Sequence, residues 1–172
     1  MAKLVVVDVE ADGEIPGPYS MVCFGAVVVD KEGKLDNTFY GQTKPISDKW
    51  KPEALAISGF SREQHLTFDD PIVIMEKFKN WIKEQGHCIF ISDNLAFDWQ
   101  YINWYFHYFL GNNPFGFSGQ RIGDKFQGFF NNPYIKWKQY RKTNHTHHPV
   151  DDAKGNAEAL LWLRDQGYKL FK

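Results

Sequence analysis

Lys3-Leu4-Val5-Val6-Val7-Asp8-Val9-Glu10 is the stretch on which the reading of this chain turns. Residues 3–7 are an apolar, β-branched run, the pattern of a buried strand. Successive side chains of a strand alternate faces, so Asp8 and Glu10 point the same way at its end. Two carboxylates held that close repel each other unless a cation lies between them. Hard divalent ions take oxygen ligands, so the pair suits half of a metal site. Taken alone, the pair reads more simply as a strand end reaching solvent.

Outward from this strand, residues 21–29 form a second apolar run, closed by the turn signal Asp30-Lys31-Glu32-Gly33-Lys34. Residues 35–42 place Leu35, Asn37, Phe39 and Gly41 on one face, as in an edge strand, and the three strands predict an antiparallel meander. A short helix is expected over 52–57, with Pro52 in its first turn. Asp70-Pro71 opens a helix over 72–84, residues 88–91 make a fourth strand, and an aromatic helix spans 95–110. Residues 112–133, rich in Gly, Asn and Pro, carry no clear signal; a last helix covers 150–165. Strands first, then strand and helix in alternation, predict an α/β fold with a mixed central sheet flanked by helices. No repeat or linker interrupts the chain, so residues 1–172 are expected to form one domain.

Composition excludes several classes. Lys plus Arg number 20 against 21 Asp plus Glu, too balanced for a histone-like binder, although a local basic patch is compatible with it. Cys23 and Cys88 are the only cysteines, which excludes a disulfide scaffold and points to a reducing, cytoplasmic setting. No apolar run reaches the ~20 residues that span a bilayer, so no membrane association is expected. The start of the chain runs directly into Asp8 and Glu10, unlike a signal peptide. Aromatic residues make up 17%, a surplus that suits core packing and base stacking alike.

Two further stretches carry chemistry. Asn94-Leu95-Ala96-Phe97-Asp98 follows the fourth strand, which puts Asp98 in the first turns of the next helix, at the edge where open α/β sheets bind ligands. Singly, Asn94 reads as a cap and Asp98 as a partner of the helix dipole. His147-His148-Pro149-Val150-Asp151-Asp152 opens the last helix, with His147 in the preceding loop. His145, His147 and His148 also fit a loose polar loop; a zinc cluster is less apt, with no cysteine near and oxygen ligands around.

With these residues in this order, the chain resembles the DEDDh 3′–5′ exonucleases of the ribonuclease T and proofreading type, which have a ribonuclease H-like fold. Asp8-x-Glu10 matches the first motif, followed by Gly13; Asn94, Phe97 and Asp98 match the second. The third motif, His followed after four residues by Asp, selects His147 and Asp152 over His148 and Asp151. Phe24-Gly25-Ala26-Val27, Pro45 and Pro52-Glu53-Ala54-Leu55 add weaker matches, so the resemblance runs from Val5 to about Leu163. The loop 11–21 departs from it, being short and shaped by Pro and Gly, and resembles a compact bacterial and phage exoribonuclease-like subgroup.

The resemblance implies phosphodiester hydrolysis at the 3′ end of single-stranded RNA or DNA, with a lean toward RNA, releasing nucleoside 5′-monophosphates. It implies two divalent cations, Mg²⁺ or Mn²⁺, held by Asp8, Glu10, Asp98 and Asp152, with His147 as the general base. Backbone groups of Ala11 and Asp12 are then expected at the sugar of the terminal nucleotide. Asn94 is carried over with the second motif. Tyr19 and Met21 are expected to stack on the last base and Phe97 to wall the pocket, although core packing suits Met21 and Phe97 equally. Lys136, Lys138, Arg141 and Lys142, interleaved with Trp137 and Tyr140, are expected to form a strip that grips phosphates and stacks bases. A homodimer is a further possibility, with the aromatic stretch 104–109 as its surface. The rival readings are a catalytically inactive nucleic-acid-binding module on the same fold and a small-nucleotide phosphohydrolase.

Overall fold

A computed structural model of the chain describes residues 2–171; Met1 and Lys172, the ends of the expected 1–172 domain, lie outside the described residues. Its sheet holds β1 (Lys3–Ala11), β2 (Met21–Val29), β3 (Thr38–Gln42), β4 (Cys88–Ser92) and β5 (Gly119–Arg121). Their spatial order is β3-β2-β1-β4-β5, with β1, β2 and β3 antiparallel neighbours and β4 and β5 added in parallel. The expected meander is therefore present, and so is the mixed sheet.

The strand pattern sorts the two layers. Val5, Val7, Val9 and Ala11 of β1 face a core shared with α3 (Pro71–Gln85) and α4 (Leu95–Leu110). Leu4 and Val6 face the opposite core, with α5 (Ile122–Phe130) and α6 (Pro149–Asp165). Asp8 and Glu10 share the parity of Leu4 and Val6, so they emerge on the α6 side. β2 is buried along all nine residues because both its faces are covered. Two short helices, α1 (Pro52–Ile57) and α2 (Arg62–Leu66), lie past the sheet's end, with Leu55 packed on Val22 and Cys23.

β3 starts at Thr38 rather than residue 35; the Asn37 carbonyl still accepts the Val28 amide of β2, while its side chain donates to Gln85 and accepts from the Trp81 indole. The unread stretch 112–133 contains β5 and α5. Three strand residues leave no alternation to detect, and Gly123 and Gly128 mask the helix. α2 did have a signal, the capping box of Ser61 and Gln64. Within the aromatic stretch 104–109, Tyr105 and Phe106 are core residues, while Tyr108 is 69% exposed and stacks on Trp104. Among the described residues, no helix is long and apolar enough to cross a membrane.

One contact places α6. A Cβ on Gly25 would lie 2.4 Å from the Pro149 carbonyl carbon and the Val150 nitrogen. Gly25 is paired with Asp8 across β1 and β2, so the start of α6 rests on bare backbone beside the carboxylates. Gly25→Ala is expected to destabilise the chain by about 1–3 kcal/mol, the usual cost of overpacking, measured by urea unfolding. Unchanged stability would contradict this seating of the helix.

Candidate active site

Three elements converge at the carboxyl ends of β1 and β4. Asp8 and Glu10 come from β1, Asp98 from the first turn of α4, and Asp152 from the first turn of α6. Carboxylate oxygens of Asp8, Glu10 and Asp152 lie within 4.8 Å of one another. Asp98 joins them through the backbone: its Oδ1 accepts the Val9 amide at 3.2 Å, midway between Asp8 and Glu10 in sequence. Its other oxygen, Oδ2, is buried with no hydrogen-bond partner.

Asp152 is held by the loop before it. Pro149 starts α6, and the Asp152 amide closes the first turn on the His148 carbonyl. Its carboxylate accepts the amides of Thr146 (3.3 Å) and His147 (3.1 Å). His145 Nδ1 lies 2.7 Å from Oδ1 of the same group. His147 has a left-handed backbone, φ 59°, and its half-exposed ring brings Nδ1 to 3.7 Å from Glu10 Oε1. His148 is turned away and stacks on Tyr40 at 4.9 Å. The five residues selected by motif spacing are thus assembled in one cleft.

Electrostatics show what the cleft can hold. Burial pushes the Asp8 carboxyl well above its ordinary range, with Asp98, Glu10 and Asp152 adding repulsion and Arg141 opposing it. Burial, then Asp152, raises Glu10 to about 7. Asp98 is also raised, first by burial. Packed acids with one opposing arginine and an orphaned buried oxygen are a donor set that hard divalent cations fit.

Beside Glu10 opens a cavity of about 390 Å³ lined by Ala11, Gly13, Lys51, Ala54, Ile57 and Phe97. Ala11 and Phe97, expected beside the terminal nucleotide, both line this cavity. Lys51, Ala54 and Ile57 were missed, because a six-residue helix says nothing about what it faces.

Other expected substrate contacts are corrected. Met21 is fully buried in the core, and its amide donates to the Tyr105 hydroxyl at 2.7 Å, so it cannot stack on a base. Asp12 is sealed: a bulge after Glu10 breaks the strand parity, its amide binds the Ser20 carbonyl, and its carbonyl accepts the Lys51 amide. Its side chain binds the Ser20 amide and pairs with Arg62 at 3.0 Å. Burial raises its pKa, while the Ser20 amide and Arg62 counteract the rise. Asp12 thus anchors the start of α1, one wall of the cavity, from behind. Tyr19 packs across Gly13, its ring where a Gly13 Cβ would go, and does not line the cavity. Asn94 is exposed; its carbonyl accepts the Phe97 and Asp98 amides and so begins α4.

The basic strip does not form one face either. A 3₁₀ turn at Trp137–Tyr140 sorts side chains three apart, sending Trp137 into the core and Tyr140 flat against Trp162, ring centroids 3.5 Å apart. Neither ring is free to stack on a base. Arg141 turns inward, with Nε on Asn156 Oδ1 at 2.9 Å. Lys138 pairs with Asp93 at 2.5 Å. Lys142 lines a groove behind α6 with Lys34 and Lys154, and Lys136 is exposed.

No family model matches the chain. It is 37% identical over 173 residues to the 3′–5′ DNA exonuclease Cap18 of Escherichia coli, an alignment covering 98% of this chain and 89% of that protein. Among solved structures, the zinc-bound E. coli exonuclease I–single-stranded DNA complex superposes with a TM-score of 0.77 at 15% identity, over 96% of this chain and 41% of that one. A full-length 3′-exonuclease superposes with a TM-score of 0.76 at 16% identity, over 96% of this chain and 82% of that one. This chain therefore spans less than half of exonuclease I, and both likenesses speak for the ribonuclease H-like fold. With the sheet order, the clustered carboxylates and 37% identity along nearly all of its length, the chain belongs to the 3′–5′ exonuclease family.

Proposed function

We propose that the chain is a DEDDh-type enzyme that removes nucleoside 5′-monophosphates one at a time from the 3′ end of single-stranded DNA, with Asp8, Glu10, Asp98 and Asp152 holding two divalent cations, Mg²⁺ or Mn²⁺. The observation that carries it is the convergence of four carboxyl groups from three elements on one cleft, open on one side to His147 and on the other to the Phe97 cavity. The compact 11–21 loop, which leans toward RNA, offers no residue that reads the sugar, whereas the 37% identical relative is named a DNA exonuclease, which favours DNA. A module that only bound nucleic acid would gain nothing from unneutralised buried acids facing its phosphates.

Bound cations would supply charge neutralisation and Lewis acidity for an in-line displacement at phosphorus. The protein's own groups do the rest. The cavity beside Glu10 takes the terminal nucleoside, Phe97 and Ile57 offering apolar surface to its base and the small Ala11 and Gly13 admitting its sugar. His147, in the loop before α6, accepts the proton of the attacking water. The water oxygen bonds to phosphorus as the P–O3′ bond breaks; O3′ leaves as an alkoxide that takes a proton from solvent to become the strand's new 3′-hydroxyl, and the 5′-monophosphate departs. Lys136, Lys138 and Lys142 of the strip are exposed; Lys142 lines the groove behind α6, which leaves Lys136 and Lys138 for phosphates further along the strand.

Asp98→Asn is expected to abolish Mg²⁺-dependent shortening of a 5′-labelled single strand while leaving the fold intact. His147→Ala is expected to slow it by about two to four orders of magnitude, and His148→Ala far less. Near-normal turnover in Asp98→Asn, or the reverse order of the two histidine variants, would contradict the assignment. A ladder on RNA with none on DNA would overturn the choice of substrate.

The raised acids predict how stability follows pH. The folded chain retains protons on these acids that the unfolded chain has already released. Their contribution is therefore full below the unfolded carboxyl range and is lost as pH rises through about 7, the Glu10 value. The melting temperature of chelator-treated protein should fall between about pH 5 and pH 8, and Mg²⁺ should restore more of it at the upper end, where the acids are ionised. A melting temperature indifferent to both pH and Mg²⁺ would contradict this account.

A further inference from the structure

We propose that His145, His147 and Asp152 form a second cation site, selective for a borderline-soft ion such as Zn²⁺, whose occupancy switches the acid centre off. The three residues offer one ligand atom each, all within 4.8 Å of one another. His145 Nδ1 and Asp152 Oδ1 are 2.7 Å apart, and the two imidazole rings meet at 4.2 Å between centroids. His145 lies outside the motif that selects His147 and Asp152, and the folded loop sets it against Asp152. The left-handed backbone of His147 folds the loop so that residues two apart bring their rings to one place.

The chemistry separates this trio from its neighbour. Imidazole nitrogens suit Zn²⁺, whereas Mg²⁺ keeps to oxygen. Asp8, Glu10 and Asp98 offer oxygen alone; His145, His147 and Asp152 offer two nitrogens and an oxygen. Three protein ligands leave a fourth, tetrahedral position for water. His145 is 53% and His147 50% exposed, so an ion reaches them from solvent. Bonds of about 2.0–2.1 Å place tetrahedral ligands roughly 3.3 Å apart, so the His145–Asp152 pair must open slightly, which an exposed loop permits.

The two sets share Asp152. An ion on the histidine side takes the lone pair of His147, which can then no longer accept a proton, and draws Asp152 away from Asp8 and Glu10. This inhibition rests on the exonuclease reading above; the binding of the ion does not.

The test uses the metal-free protein, its His145→Ala and His145→Gln variants, and two probes. Zn²⁺ is titrated calorimetrically, and Co²⁺ reports geometry through its visible absorption, intense in a tetrahedral nitrogen-containing site and weak in an octahedral oxygen site. The wild type should bind Zn²⁺ at least tenfold more tightly than either variant, and only the wild type should give the intense Co²⁺ bands. At fixed Mg²⁺, the Zn²⁺ concentration that halves turnover, relative to each protein's own rate, should rise by a similar factor in the variants. Equal Zn²⁺ affinity in all three proteins would place the ion in the carboxylate centre and overturn the proposal. Loss of tight binding in the variants, with no turnover in any of the proteins, would uphold the site and contradict the proposed function instead.

Discussion

The start of α6 rests on the bare backbone of Gly25, and the site depends on that contact. A side chain there would collide with the Pro149–Val150 peptide, so the helix could not come so close to the sheet. Because it does, Asp152 in the first turn reaches Asp8 and Glu10, and the loop before the helix lays His147 over the cleft. Local sequence and tertiary arrangement agree here. Pro149 suits a first helical turn, Gly25 suits a close approach, and strand parity directs both β1 acids toward the helix.

What this assembly creates is an electrostatic problem. Burial and mutual repulsion raise Asp8, Glu10 and Asp98 together, and the inward-turned Arg141 is the one opposing charge that bears on Asp8. A fold selected for stability alone would have neutralised or exposed these groups. Divalent cations bound among these oxygens would relieve the repulsion. The cavity on the Glu10 side is built with the same economy: the Asp12 carbonyl fixes the start of α1 through the Lys51 amide, its carboxylate pairs with Arg62 of α2, and α1 lends Ala54 and Ile57 to the cavity lining.

Much of this was legible in the residues. Apolar runs located β1, β2 and β4, and helical spacing located α3, α4 and α6, because buried faces leave a period. Asp8, Glu10, Asp98, His147 and Asp152 were selected by spacing, and the structure brings them to one cleft. Substrate contacts were less legible, since they depend on where the chain bends. The bulge after Glu10 removed Asp12 from the face that carries Asp8 and Glu10, and a 3₁₀ turn dispersed the cations of 136–142. Met21 was an even choice between core and base, and burial on both faces of β2 settled it. His145 went unselected because a histidine in a polar loop carries no period; only the folded loop sets it against Asp152.

The most direct test of the account is anomalous diffraction from crystals of the protein grown with Mn²⁺. Two peaks among Asp8, Glu10, Asp98 and Asp152, both lost in Asp98→Asn or reduced to one, are the predicted result. Mn²⁺ bound elsewhere, with these four carboxyl groups left without a peak, would contradict the claim that the cleft exists to hold cations.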